Sequence, residues 1–423
     1  MIIESSFNPS PQYSTAPSPI LPSSNPSTPI CIFPLISERS HNRRWDGSKL
    51  HEFRKRLITS KITVEDVDDV AANFLDDEIA DVAMDWLGNT VRILLFEKCS
   101  AGTRLAMLER VAPHLAMIGI NRNGTWAAQK IIECVQTPEE VALVTQNLRP
   151  YVLSLLLDQF GNHVVQCCLR FGSPTTDFLF EAMDGHLWRI AQGLFGARSM
   201  RACLESSHVT VSQQHKIATA IIRDSISLAT NLNSALLLTW LLDTSNFPSR
   251  YSLLARRFTP RLSHLCTHDL ASLAVLRIVN QKVEPEASAR VVEALFQSPN
   301  DRVLTDVLSN QVNGSAVVHK LLTSPFVSPE QRVAYAEVTK RVLIKLKAIT
   351  IQAYHRLVEE VGLLVAHPQP TYSTNVSQPT KTKHNSDVPG LPAGYLPTDQ
   401  ESAFTMAALQ MDGQSATAAP RRL

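Results

Sequence analysis

Aromatic residues make up only 6% of this 423-residue chain, and glycine occurs just 15 times. Sandwiches and barrels of short strands use more of both, so their scarcity points to packed helices. An excess of either charge is also missing: 40 Lys+Arg against 39 Asp+Glu leave a formal net charge of +1. That excludes a strongly basic, non-specific nucleic-acid binder and leaves only local charge effects. The seven cysteines include no C-x-x-C pair. Cys99, Cys134 and Cys203 sit inside apolar helical runs, where buried thiols are expected rather than disulfides or zinc. No run approaches the ~18 apolar residues of a membrane span. The start has Glu4 and then Ser/Pro-rich sequence in place of a basic-then-apolar signal, so a cytoplasmic location is expected. There is no phosphate loop, no G-x-S-x-G, no H-E-x-x-H and no convincing carboxylate pair. The expectation is therefore no enzyme, catalytic residue, metal, cofactor or small-molecule substrate. The acidic runs Glu65, Asp66, Asp68, Asp69 and Asp76, Asp77, Glu78 read as solvated helix ends.

What is present falls into three parts. Residues 1–46 carry eight prolines among serines and threonines, beginning at Pro9 and ending at Pro34. Such a segment cannot bury enough apolar surface to offset its ordering entropy, so disorder is expected. The same holds for the Pro/Ser/Thr/Gln-rich tail 366–423, with a transient helix at Ala403–Met411. Between them, residues 47–365 are helical in pattern throughout. Leu50, Phe53, Leu57, Val64, Val67, Val70, Ala71 and Phe74 keep helix spacing and are read as an N-terminal cap. Val333 to Leu364 is read as a C-terminal cap, or as an eighth unit that has lost its reading face.

Within that span one stretch recurs. Asp158-Gln159-Phe160-Gly161-Asn162-His163-Val164-Val165-Gln166 opens a short helix in which Asn162 and Gln166, four apart, share a face. Val164, Val165, Cys168 and Leu169 form its core side. Two side-chain amides, each both donor and acceptor, suit the edge of a nucleobase. Related stretches align on small residues at 88, 124, 161, 196, 234, 272 and 314, with steps of 36, 37, 35, 38, 38 and 42. A period this steady marks a solenoid of about seven units. Within a unit, Thr137-Pro138-Glu139-Glu140 offers an N-cap, a first-turn proline and acids at the positive helix end. Ser173-Pro174 and Ser328-Pro329-Glu330 repeat it. Pro150 marks a helix boundary and Gly172 a helix stop. Each unit is thus three helices, the amide-bearing one last.

The opening stretch resembles the signature of the Pumilio-type (PUF) RNA-binding repeat, and the resemblance runs from about 80 to 325. It implies an all-α, right-handed α-solenoid of three-helix repeats with helical caps. In that family each repeat reads one base of single-stranded RNA through side chains of its third helix. The first and third of them, four apart, meet the base edge, and the one after the first stacks between bases. Transferred by position, unit three offers Asn162 and Gln166 as edge readers with His163 stacking, a uracil-type set. Unit two offers Thr125 and Gln129 with Trp126, an adenine-type set. Unit one offers Asn89 and Thr90, with Ile93 where an amide is expected. Unit four offers Arg198 as stacker and Arg201, with Ala197 unable to read. Units five to seven (Ala235, Leu236, Thr239; Leu273, Ala274, Arg277; Ser315, Ala316, His319) depart from the pattern. Antiparallel binding implies uracil followed by adenine. The function implied is messenger-RNA binding that adjusts translation or decay, with deadenylation or translation-repression proteins as partners. Two alternatives remain open: a protein-binding solenoid of armadillo or HEAT kind, and a structural factor of ribosome assembly.

Overall fold

The computed structural model describes residues 47–58, 62–73 and 86–363, the side chains of 47–50, 53, 73, 86–90 and 92 excepted. The expectations for 1–46 and 366–423, including the Ala403–Met411 helix, lie outside the described residues, as do Phe74 and Asp76 to Glu78. Every element among the described residues is helical. They stack as three parallel rows, one helix of each unit per row.

The first helices are Val64–Asn73, Ala101–Val111, Pro138–Leu148, Asp177–Gly185, Val211–Arg223, Arg250–Phe258 and Pro285–Phe296. They start where the sequence supplies acceptors. Thr137, Thr210 and Ser328 each accept the N–H three residues on, and Glu140, Gln213 and Gln331 return the bond to the cap's own N–H. Such reciprocal capping satisfies two otherwise orphaned donors. Pro113, Pro150 and Pro260 lie in tight 3-10 turns that end three of these helices, since proline cannot donate within a continuing helix. Short middle helices follow, such as Leu115–Ile120, Val152–Leu157 and Leu262–Thr267.

The third helices are Trp86–Lys98, Gly124–Cys134, Gly161–Cys168, Leu194–Glu205, Ala235–Thr239, Asp269–Val279 and Asn313–Leu322, each packed on the next. Their apolar sides join one core that runs through all units, from Leu57 to Val361. No unit could bury this surface alone. In unit five the third helix widens into a π-helical segment, Trp240–Thr244, where the Ser245 N–H donates to the Trp240 carbonyl at 2.9 Å. The wider turn buries three consecutive apolar side chains, Trp240, Leu241 and Leu242.

Two expectations need correction. Val64–Asn73 is not part of a cap. It packs against the first helix of unit two and is the first helix of unit one, while Gly47–Ile58 packs against Trp86–Lys98 and closes the third-helix row. Sequence reading merged the two because both share helix spacing. Ser173-Pro174 does not start a helix either. Gly172, at φ +70°, turns the chain away, and the helix begins at Asp177. The C-terminal cap consists of Pro329–Lys345 and His355–Glu360. The acidic run 65–69 is more than a solvated end, because Asp68 accepts the Ser100 N–H at 3.0 Å, at the start of unit two. The six cysteines among the described residues are free thiols, four of them buried.

Candidate nucleic-acid interface

The third-helix row is built by one recurrent turn. In units two, three and five, a side chain three residues before the anchor accepts two consecutive backbone N–H groups and so starts the helix. Asn121 takes those of Asn123 and Gly124 at 2.9 and 3.0 Å. Asp158 takes those of Phe160 and Gly161 at 2.8 and 2.7 Å. Asn231 takes those of Asn233 and Ser234, at 3.0 and 3.1 Å. In unit six the acceptor is His268, bonding Leu270 and Ala271 at 3.2 and 3.4 Å. The anchor there is consequently Ala271, not Ser272. The residues at the reading positions become Ser272, Leu273 and Leu276, of which Leu273 alone is exposed. Ala274 is buried and Arg277 moves one place further along the helix.

From each anchor the helix presents the same profile. In unit three Asn162 is buried at 6% exposure, His163 stands out into solvent, and Gln166 is half-buried. In unit two Thr125 is buried at 4%, Trp126 is 57% exposed, and Gln129 is half-buried. These four accessible groups lie on third helices that pack against one another. Thr125 and Asn162 are recessed beneath them, which the repeat pattern did not reveal. They act on the outer pair through hydrogen bonds. Gln166 Nε2 donates to Asn162 Oδ1 at 2.9 Å, and Asn162 Nδ2 donates to the carbonyls of Asp158 and Gln159 at 2.8 and 3.0 Å. Gln129 Nε2 donates to Thr125 Oγ1 at 3.0 Å. Each glutamine therefore keeps one N–H and at least one lone pair of its carbonyl oxygen available, an arrangement suited to a base edge. Partial desolvation of its ring lowers the His163 pKa, which favours the neutral form for stacking.

In unit four Arg198 is exposed, whereas Arg201 is held by Glu205 at 2.8 Å. Asn89 and Thr90 lie on Trp86–Lys98, but their side chains are outside the described residues. Several basic groups that could be taken for phosphate ligands join units to one another. Lys130 pairs with Glu97 of unit one at 2.8 Å. At the equivalent place Arg277 reaches back to Thr239 and Asp243 of unit five, at 2.7 and 3.3 Å. This equivalence independently confirms the corrected register of unit six. Arg170, which sequence reading did not single out, donates to the carbonyls of Ile132, Glu133 and Val135 at the end of unit two's third helix. Beyond unit four the wall presents aliphatic groups in the stacking row, with Leu273 52% exposed. Among the described residues no group of three or more His, Cys, Asp or Glu is placed to hold a metal, and no helix is long and apolar enough to cross a membrane.

The comparisons agree with this geometry. A model of the Pumilio-family RNA binding repeat matches residues 151–181, from the middle helix of unit three into the first helix of unit four. A Pumilio domain-containing protein of Schizosaccharomyces pombe is 44% identical over 355 residues, 84% of this chain and 53% of that protein. The mRNA-binding protein PUF2 of Saccharomyces cerevisiae is 38% identical over 338 residues, 78% of this chain and 31% of that protein. The crystal structure of the PUM-HD domain of S. pombe Puf1 in complex with RNA superposes with a TM-score of 0.68 at 46% identity, over 75% of this chain and 84% of that one. The chain spans about half or less of the length of these curated relatives.

Proposed function

Because this chain belongs to the Pumilio repeat family, we propose that its third-helix wall binds single-stranded RNA with sequence preference. One observation carries the reading: in units two and three an exposed ring and an outward-facing glutamine recur in register on neighbouring helices. Bases stacked between Trp126, His163 and Arg198 would each contribute ~1–3 kcal/mol. Gln129, backed by Thr125, and Gln166, backed by Asn162, would select the bases between. In the antiparallel register of the family, unit three meets a uracil 5′ of an adenine at unit two. Asn89 and Thr90 of unit one, with Arg198 and Arg201 of unit four, would extend the contact. Two units alone fall short of nanomolar affinity, because association itself costs several kcal/mol. Short elements present in several copies would raise it.

Bound to 3′ untranslated regions, the protein would act as an adaptor in the cytoplasm rather than as an enzyme, bringing translation-repression or deadenylation proteins to the message. The test is fluorescence polarisation of the full chain with a UA-bearing RNA. Replacing Asn162 and Gln166 together by alanine is expected to weaken binding by ~2–5 kcal/mol. Equal affinity in the double variant sinks the edge-reading role.

A further inference from the structure

The two reading units are wired differently. In unit three the hydrogen bonds close within the unit: Gln166 to Asn162, and Asn162 to the carbonyls of Asp158 and Gln159. In unit two they begin and end in the neighbour. Cys167 Sγ, on the third helix of unit three, lies 4.0 Å from Gln129 Oε1. Gln129 Nε2 donates to Thr125 Oγ1 at 3.0 Å, and Thr125 Oγ1 donates to the Phe160 carbonyl of unit three at 3.3 Å. Donation runs in one direction, from thiol to amide to hydroxyl to carbonyl. Reversing the Gln129 amide would leave its NH2 only the weakly accepting sulfur and set its oxygen against a hydroxyl whose hydrogen is already given to Phe160.

We propose that unit three sets the orientation of the unit-two reader, with Cys167 as its positioning residue, so that the choice of nucleotide at unit two depends on a side chain of the neighbouring unit. The proposal rests on the RNA-reading role of the wall. A thiol suits the task because burial pushes Cys167 up to about 12, so it remains a protonated donor at any working pH. The corresponding place in unit four is Ala202, which has no side-chain donor. Unit three's reader accordingly relies on its own Asn162.

The test compares the full-length parent with Cys167→Ala and Cys167→Ser, using a UA-bearing RNA and two versions with either the U or the A replaced. Cys167→Ala is expected to lower the preference for A about threefold or more, the scale of one lost hydrogen bond. The preference for U should stay at the parental value. Cys167→Ser, whose hydroxyl is a donor, should retain the preference for A. An unchanged preference for A in Cys167→Ala overturns the proposal, including when its melting temperature falls, because Cys167 would then only pack. Equal loss at both nucleotides, or a serine variant that behaves like alanine, overturns it as well. A parent that prefers neither nucleotide instead overturns the reading of the wall, and the orienting role falls with it.

Discussion

A Cβ built on Gly196 would lie 2.1 Å from the Ile190 carbonyl oxygen, and one on Gly314 1.9 Å from that of Val307. Both residues open third helices, where the chain turns back tightly from the middle helix. Ser234 occupies the same place in unit five and gives its hydroxyl to the Leu228 carbonyl at 2.9 Å. A side chain is thus accommodated there when it can bond that carbonyl. Gly196→Ala is expected to cost ~1–3 kcal/mol through forced displacement, and Gly196→Ser less, measured by urea unfolding monitored by circular dichroism. The glycines also explain what was legible. They fixed the register of units two to four and seven without structural help. Unit six lacks one, and two neighbouring small residues, Ala271 and Ser272, fit the sequence pattern equally well. The His268 ring taking the N–H groups of Leu270 and Ala271, together with the reach of Arg277 back to Asp243, chooses between them. The recessed state of Thr125 and Asn162 was likewise hidden, because depth depends on the neighbouring helix rather than on spacing within one.

Between first helices, Glu140 is fully buried, and its carboxylate meets Arg104 of the preceding unit at 2.7 Å. Desolvation works to raise its pKa, but the N–H groups of Gln136 and Thr137 and the Arg104 guanidinium outweigh it and hold the carboxyl below its usual range. A depressed carboxylate contributes stability above its unfolded pKa and loses it as pH falls through the folded value. Arg104→Met leaves Glu140 buried with its charged partner gone, and is expected to cost ~3–5 kcal/mol at neutral pH. The same change should move the onset of acid unfolding to higher pH, followed by urea midpoints across the acidic range. The capping role of Thr137 and Glu140 was readable from four consecutive residues. The partnership with Arg104 was not, since it joins places 36 residues apart and no single unit displays it. The Val64–Asn73 helix was misassigned for a similar reason: only packing distinguishes the first helix of a unit from a cap.

Over the whole molecule, formal charge nearly cancels, and the wall repeats that balance locally. Lys130, Arg201 and Arg277 are each paired with a carboxylate. Arg122, Arg198 and Lys320 are exposed and have no ion pair among the described residues. With about three phosphates neutralised, the slope of log affinity against log salt should be near about −2 for a single strand. Titrations from low to physiological salt will check this, and a slope several times steeper would mean that backbone charge rather than base contact dominates. The solenoid and its period were legible because stacked units repeat their core pattern along the sequence. The widened turn at Trp240–Thr244 left no such trace, although it buries the largest side chain in the core. It also has a consequence for decoding. The extra residue is absorbed before the next unit begins, because Ser234 to Ala271 spans 37 residues, as Gly124 to Gly161 does. Nucleotides can therefore be assigned to units by stepping from anchor to anchor straight through Trp240, since the bulge takes up its surplus residue behind the side chains that meet a base.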